Sequence, residues 1–311
     1  MGVFVLLPLI LPLTALPIAR LAEQHLHPRH TTRLLTLISV VMAVCSTLCL
    51  LLLFVVGTAQ IPGNPLPDHW SDPEVRASVP HSELAGRAAI GVLVAVSAAA
   101  FLTVRRHLRV RARARRAVAG VVDRSGLAVL PDDEPYAYAL PGSPGRIVIS
   151  TAMLDGLAAD ECQALVAHER AHLADRHHRF LLATRLASSV NPFLRPLQQA
   201  VAYSAERWAD EEAARVVGDR RLTARAVARA ALLAPRTAVA PGLAAFAAPG
   251  PIPRRVAALL GPAPPAGSWP PAHSPAGLAA MVATVGTAVS ALSALNAAVA
   301  LLLILKAATP W

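Results

Sequence analysis

The chain has 311 residues, 55% of them hydrophobic, and a formal net charge of +10. Its mean hydropathy of +0.49 exceeds that of an ordinary soluble domain, and the apolar excess is gathered in blocks. That distribution argues against one large soluble core. The basic excess abuts an apolar block without interleaved aromatics, which argues against direct nucleic-acid binding. With three cysteines, two inside one apolar run, there is no disulfide framework and no Cys-based metal knuckle.

Four runs approach the ~20 residues needed to cross a bilayer. The first, 3–19, is uncharged and carries Pro8, Pro12 and Pro17. It lacks a basic leader and a small-residue cleavage site, so it reads as a retained span and not a removed signal. The second is 34–58 and the third 88–104; the first and third could instead be buried or interfacial helices. The fourth, 276–305, carries Gly286, Ser290, Ser293 and Asn296 at spacings suited to close helix packing.

Basic residues set the orientation. Arg20, Arg29 and Arg33 lie between spans one and two, and seven arginines follow span three between Arg105 and Arg116. The loop around 59–86 holds Asp68, Asp72, Glu74 and Glu83 instead. Both basic regions are therefore expected in the cytoplasm, and both chain ends outside. The arginine run is also placed to meet anionic lipid head groups.

The segment 105–270 is expected to be a cytoplasmic domain inserted between spans three and four. It opens with a basic helix. Strands are expected near Leu127–Leu130 and Tyr136–Leu140, then a Pro-Gly-Ser-Pro-Gly turn leads into Ile147-Val148-Ile149, which reads as an edge strand. A helix should start near Asp160, with Asp160 as its cap and Gln163 at the capping-box position.

That helix carries His168-Glu169-Arg170-Ala171-His172, an H-E-x-x-H string. On a helix, residues four apart share a face, so both imidazoles can grip one Zn²⁺ while Glu169 serves as general base to the attacking water. Hydrolysis needs a third protein ligand and an open position. Glu206, on the helical stretch 203–214, is the best candidate, and Asp210, one turn on, can orient a ligating imidazole. Asp175, His177 and His178 are rival ligands. Tyr203, His177 and Arg215 are candidates for stabilising an oxyanion. The bland reading of 206–212 is a solvated charged face.

Between these helices, Phe180–Val190 is an apolar helix ending before Asn191-Pro192. It reads as a core helix, as a wall of the cleft, or as an element dipping into the membrane interface. The stretch 224–250 gives weak signals, and 262–275 reads as a linker into span four.

H-E-x-x-H followed by Glu206-x-x-Ala209-Asp210 resembles the gluzincin membrane peptidases of the M48 and M56 groups. The string from Ile147 to His178 is similar to the core of the M56 group, which includes the antibiotic-sensing BlaR/MecR-type signal transducers. Arg254-Arg255-Val256 with Leu259, after Pro253, resembles the short basic segment that closes such domains. The resemblance implies a mainly α integral membrane protein: four transmembrane helices with a small α+β zinc peptidase domain. It also implies an edge strand above the active-site helix that pairs with extended substrate. Relatives of that type carry a penicillin-binding sensor after the last span, which is not expected here because the sequence stops at Trp311.

The expected activity is zinc-dependent endoproteolysis at the cytoplasmic face of the cell membrane, in regulatory proteolysis of a protein substrate such as a transcriptional repressor. One alternative is M48-like quality control of membrane proteins. The order of three spans before the motif and one after disfavours it, since the heat-shock M48 enzymes place two on each side. The other alternative is a non-catalytic protein with a structural zinc, disfavoured by the presence of Glu169.

Overall fold

The computed structural model describes residues 2–59, 82–121, 126–234, 251–264 and 273–307. Most of the loop expected outside the membrane, much of 224–250, most of the linker before span four, and Trp311 lie outside the described residues.

Among the described residues, four helical stretches are long and apolar enough to cross a membrane. The first is composite. Helix α1 (Gly2–Ile10) passes through a 3₁₀ turn (Leu11–Thr14) into α2 (Ala15–His25). The turn carries Pro12 near its start, and a proline lacks the N–H that a continuing α-helix would need. Helix α3 (Pro28–Ala59) is the second stretch. Helix α4 (Ser82–Ala117) runs through residue 104 without a break, so the arginine run forms the last turns of the spanning helix itself. Helix α11 (Pro275–Ala307) is the fourth.

Helices α3 and α4 pack antiparallel through a glycine contact. A Cβ placed on Gly57 would stand 2.3 Å from the Gly86 Cα, so only two glycines permit this approach. Helix α11 buries Ala283, Thr287, Ser290, Ser293, Ala294, Ala297 and Leu301. Asn296 faces outward and Gly286 is half-buried, which corrects the expected packing stripe: the buried face follows 3.6-residue periodicity through alanines on either side of the two serines.

The sheet consists of β1 (Leu127–Leu130), β2 (Ala137–Leu140) and β3 (Arg146–Ser150), in the order β1-β3-β2. β3 pairs parallel to β1 and antiparallel to β2. The strand expected at the edge is therefore the central one, with Val148 and Ile149 fully buried. A continuous apolar run such as Ile-Val-Ile fits a strand covered on both faces. The edge nearest the helices is β2. Ser150 N–H bonds to Tyr136 O, so Tyr138 and Leu140 are the next residues bonded to β3. The backbone groups of Ala137 and Ala139 point the other way, towards the free edge.

After a short helix α5 (Thr151–Gly156) comes α6 (Ala159–Ala174), which carries the His-Glu string. Its cap lies at Ala158, not Asp160. The Glu161 carboxylate reaches back to accept the Ala158 N–H at 3.0 Å, the role expected of Gln163. Arg225 and Arg229 hold the buried Glu161 in place. Helices α7 (His177–Val190) and α8 (Arg195–Val217) form a hairpin turned by Asn191, which caps Phe193 N–H. α9 (Arg220–Leu233) and the short α10 (Ile252–Leu260) complete the fold.

The α7–α8 hairpin is not a separate body. Ala187, Leu194, Leu197, Ala200 and Val201 share one core with Ala15, Ala19, Ala22, Leu35, Ile38 and Met42 of the first two spans. Its turn reaches halfway along α3, where Asn191 Nδ2 donates to Ser46 Oγ at 3.2 Å. Of the readings of 180–190, this packing meets the core helix, its core being shared with the first two spans.

Candidate metal centre

Helix α6 turns His168, Glu169 and His172 inward, and α8 crosses it with Glu206 and Asp210 on the facing stripe; all but the slightly more open His172 are buried. The Nε2 atoms of His168 and His172 are 3.1 Å apart. Glu206 Oε2 lies 3.5 Å from His168 Nε2, and its Oε1 lies 3.4 Å from His172 Nε2. Two ligand atoms at ordinary bond lengths from a tetrahedral zinc stand about 3.3 Å apart. The three side chains therefore converge at the spacing zinc requires, and they are the group among the described residues able to hold a metal.

The far side of each imidazole fits the same task. His168 Nδ1 lies 3.0 Å from Asp210 Oδ1. His172 Nδ1 lies 2.9 Å from His177 Nδ1, and His177 is fully buried against the Trp208 ring. Ligation through Nε2 leaves the proton of each ligand histidine on Nδ1, where a fixed acceptor sets the ring's orientation.

Arg255, on α10, closes the site from above. It is buried, with Nη2 2.6 Å from Asp210 Oδ1, Nε 2.8 Å from Oδ2, and Nη1 3.0 Å from Glu206 Oε2. Sequence reasoning placed it only in a closing basic segment. One arginine among 29 basic residues carries no mark of burial.

Burial and charge compete throughout. Burial opposes a charged Glu206, but Arg255, His172 and His168 hold its carboxyl well below the usual range. Burial likewise opposes a charged Asp210, and the Arg255 and His168 contacts overcome it. Glu169 moves the other way: burial raises it, against the opposing pull of His168 and the Ala139 N–H on the free edge of β2. In the metal-free site burial disfavours an imidazolium at His168, yet Asp210 and Glu206 win and raise it to about 10. Burial takes His172 down to about 4.

The other candidates disperse. Arg215 is exposed and paired with Glu212, away from the metal group. Tyr203 is buried one turn before Glu206, with the Arg254 guanidinium 4.4 Å above its ring. Asp175 and His178 lie outside the converging group, and His177 meets it only through His172.

The centre lies at one end of the first two spans. Arg29 and Arg33 stack over Trp208 at 5.6 and 5.3 Å, and Glu23 pairs with Arg254 at 3.1 Å.

An H-E-x-x-H helix crossed by a helix that brings a glutamate to the same point, in a chain with four helices of spanning length, is the arrangement of a gluzincin-type membrane metallopeptidase. A family model agrees: peptidase family M48 matches residues 105–191. The matched stretch runs from the end of α4 through His168, Glu169 and His172 to the turn of the hairpin, and stops short of Glu206. No curated protein and no solved structure matches the chain.

Proposed function

We propose that the chain is a zinc-dependent endopeptidase that cleaves protein substrates at the cytoplasmic membrane face. The observation that carries this is the convergence of His168, His172 and Glu206 at zinc spacing, with Glu169 buried beside them. When bound, zinc supplies a Lewis acid that polarises a carbonyl and acidifies water.

The chain's own residues supply the rest. Glu169, raised by burial, accepts the proton of the attacking water and passes it to the leaving amine. Asp210 and His177 orient the two ligand imidazoles. Arg255 holds Asp210 and Glu206 in place and balances their charge. With the Ala139 N–H turned to Glu169, the outward edge of β2 offers the Ala137 backbone and the Ala139 carbonyl to an extended substrate, taking the place assigned to Ile147–Ile149 from the sequence. The arginines at the ends of spans one and three support a cytoplasmic site in a cell-membrane protein.

Regulatory proteolysis, with a repressor-type substrate, is the biological role we favour from the M56-like core and the order of spans. Quality control of membrane proteins is the second reading, favoured by the M48 match.

The test is Glu169→Gln. It should retain zinc and lose cleavage by ~10²-fold or more. Comparing membrane and cytosolic proteomes of wild type and variant should reveal the substrate: one accumulating regulator supports the first role, and many damaged membrane proteins the second. Unchanged proteomes with zinc retained would leave a structural metal site.

A further inference from the structure

The α7–α8 hairpin carries Glu206 at one end and enters the bundle of spans at the other. At its turn, Asn191 Nδ2 donates to Ser46 Oγ at 3.2 Å. Ser46 lies thirteen residues beyond Arg33 and eleven before Gly57 on the unbroken helix α3. At the rise of an α-helix, that is about 20 Å from the basic end of the span. A hydrocarbon layer is ~30 Å thick, so the turn stands near its middle.

The turn is built as a chain in hydrocarbon must be. Where no water is present, every backbone N–H needs a partner in the protein. Asn191 N–H donates to Ala187 O, Phe193 N–H to Asn191 Oδ1, Leu194 N–H to Asn191 O, and Arg195 N–H to Pro192 O. Pro192 and Pro196 have no N–H to satisfy. No backbone donor from Asn191 to Pro196 is left free. The side chains follow the same rule. Thr184 and Ser189 each donate to a carbonyl of their own helix, at 2.9 and 2.8 Å. Ser188 meets Arg185 O and the Gln198 side chain. Between Leu186 and Ala205 the sequence has one charge, Arg195. Phe193, by contrast, is 57% exposed at the tip. An exposed aromatic ring is unfavourable in water and favourable among lipid chains.

We infer that the α7–α8 turn is inserted in the bilayer, with Phe193 in contact with lipid acyl chains at mid-depth. The neighbouring surface has the same character: Leu37, Val40 and Val44 form an exposed apolar face of α3 that leads up to the level of Ser46. Arg195, exposed two residues after Phe193, carries its charge on a stem long enough to snorkel towards the aqueous side. From this tip α8 returns and delivers Glu206 eleven residues after Arg195, about 16 Å away. The helix of the third ligand is thus anchored in lipid, which holds the metal centre at the membrane surface. The inference rests on the apolar stretches crossing a bilayer, and it does not depend on zinc or on cleavage.

The test uses the full chain in vesicles of phosphatidylcholine and phosphatidylglycerol. Cys45, Cys49 and Cys162 are replaced by alanine, and one nitroxide label is attached at Phe193→Cys, Val44→Cys or Val216→Cys. Val216 is exposed at the far end of α8. Power-saturation EPR compares collisions with oxygen, which concentrates in lipid, and with a water-soluble nickel chelate. Oxygen should dominate at 193 as it does at 44, and the chelate at 216. If the chelate dominates at 193 while oxygen dominates at 44, the tip is in water and the inference is overturned. Few collisions with either reagent at 193 would mean a covering protein surface, which overturns it too. If the chelate dominates at 44 as well, α3 does not span, and the inference falls with that reading. Should the cysteine-free chain not fold, a photoreactive phenylalanine analogue replaces Phe193 in the otherwise native chain. Irradiation in the same vesicles should then give a lipid-chain adduct, located by mass spectrometry. Adducts with protein or water alone refute the insertion.

Discussion

His177 and His172 face each other Nδ1 to Nδ1 at 2.9 Å, one on the first turn of α7 and the other near the end of α6. Burial, then the charge of His172, pushes His177 well below the ordinary histidine range, so it stays neutral and can accept the His172 proton. His177→Ala removes that acceptor while leaving all three converging groups. Zinc affinity should fall ~10–100-fold, measured by competition with a calibrated chelator. Unchanged affinity would mean that His172 needs no acceptor at Nδ1 to hold its orientation.

Arg255 neutralises two buried carboxylates at once. Arg255→Met should cost about 3–5 kcal/mol, because Asp210 and Glu206 are left buried without their cation. Denaturant unfolding of the metal-free protein measures this. Adding Asp210→Asn to Arg255→Met should recover part of the loss, as coupled neighbours do. Strictly additive losses would show that the two side chains do not act as a pair.

Zinc and the His168 proton compete for one place. In the metal-free protein His168 is raised to about 10, against an ordinary value of 6.5. Its charged form therefore contributes stability that is complete below about 6.5 and is lost as pH rises through about 10. His172 has the opposite sign: lowered to about 4, it costs stability as pH falls from about 6.5 towards 4. Zinc must displace the His168 proton, so its affinity should rise about tenfold per pH unit between about pH 7 and pH 9. Titration calorimetry in buffers of different ionisation enthalpy should show one proton released at pH 7. No release would place His168 in its neutral form before the metal arrives.

Gly57 and Gly86 fix spans two and three at backbone contact. Gly86→Leu must force the helices apart and should destabilise the protein by about 1–3 kcal/mol or more. Thermal unfolding in detergent reads this directly. The folded fraction should still take up zinc, since the glycines sit at the end of α3 remote from Arg29 and Arg33. A variant as stable as the wild type would mean that the two helices do not need this contact.

The H-E-x-x-H string was legible because helical periodicity alone puts His168 and His172 on one face. The spans were legible because hydrocarbon thickness sets a length that composition reveals. Glu206 could be ranked above its rivals from local helix pattern and family likeness, but its distance from the two imidazoles is a property of how α8 crosses α6. The edge strand was misassigned because an apolar run of three looks the same at the edge and at the centre of a sheet. Only pairing with both β1 and β2 distinguishes the two.

The order of chain segments, the helix carrying two imidazoles, and the four apolar stretches follow from short-range periodicity and hydropathy, which a linear sequence states outright. Arg255 over Asp210, His177 behind His172, and the hairpin that reaches Ser46 depend on the folded chain. Those pairings depend on which faces pack together. The reason is physical: burial and an opposing charge decide what an ionisable side chain does, and neither exists until the chain has folded.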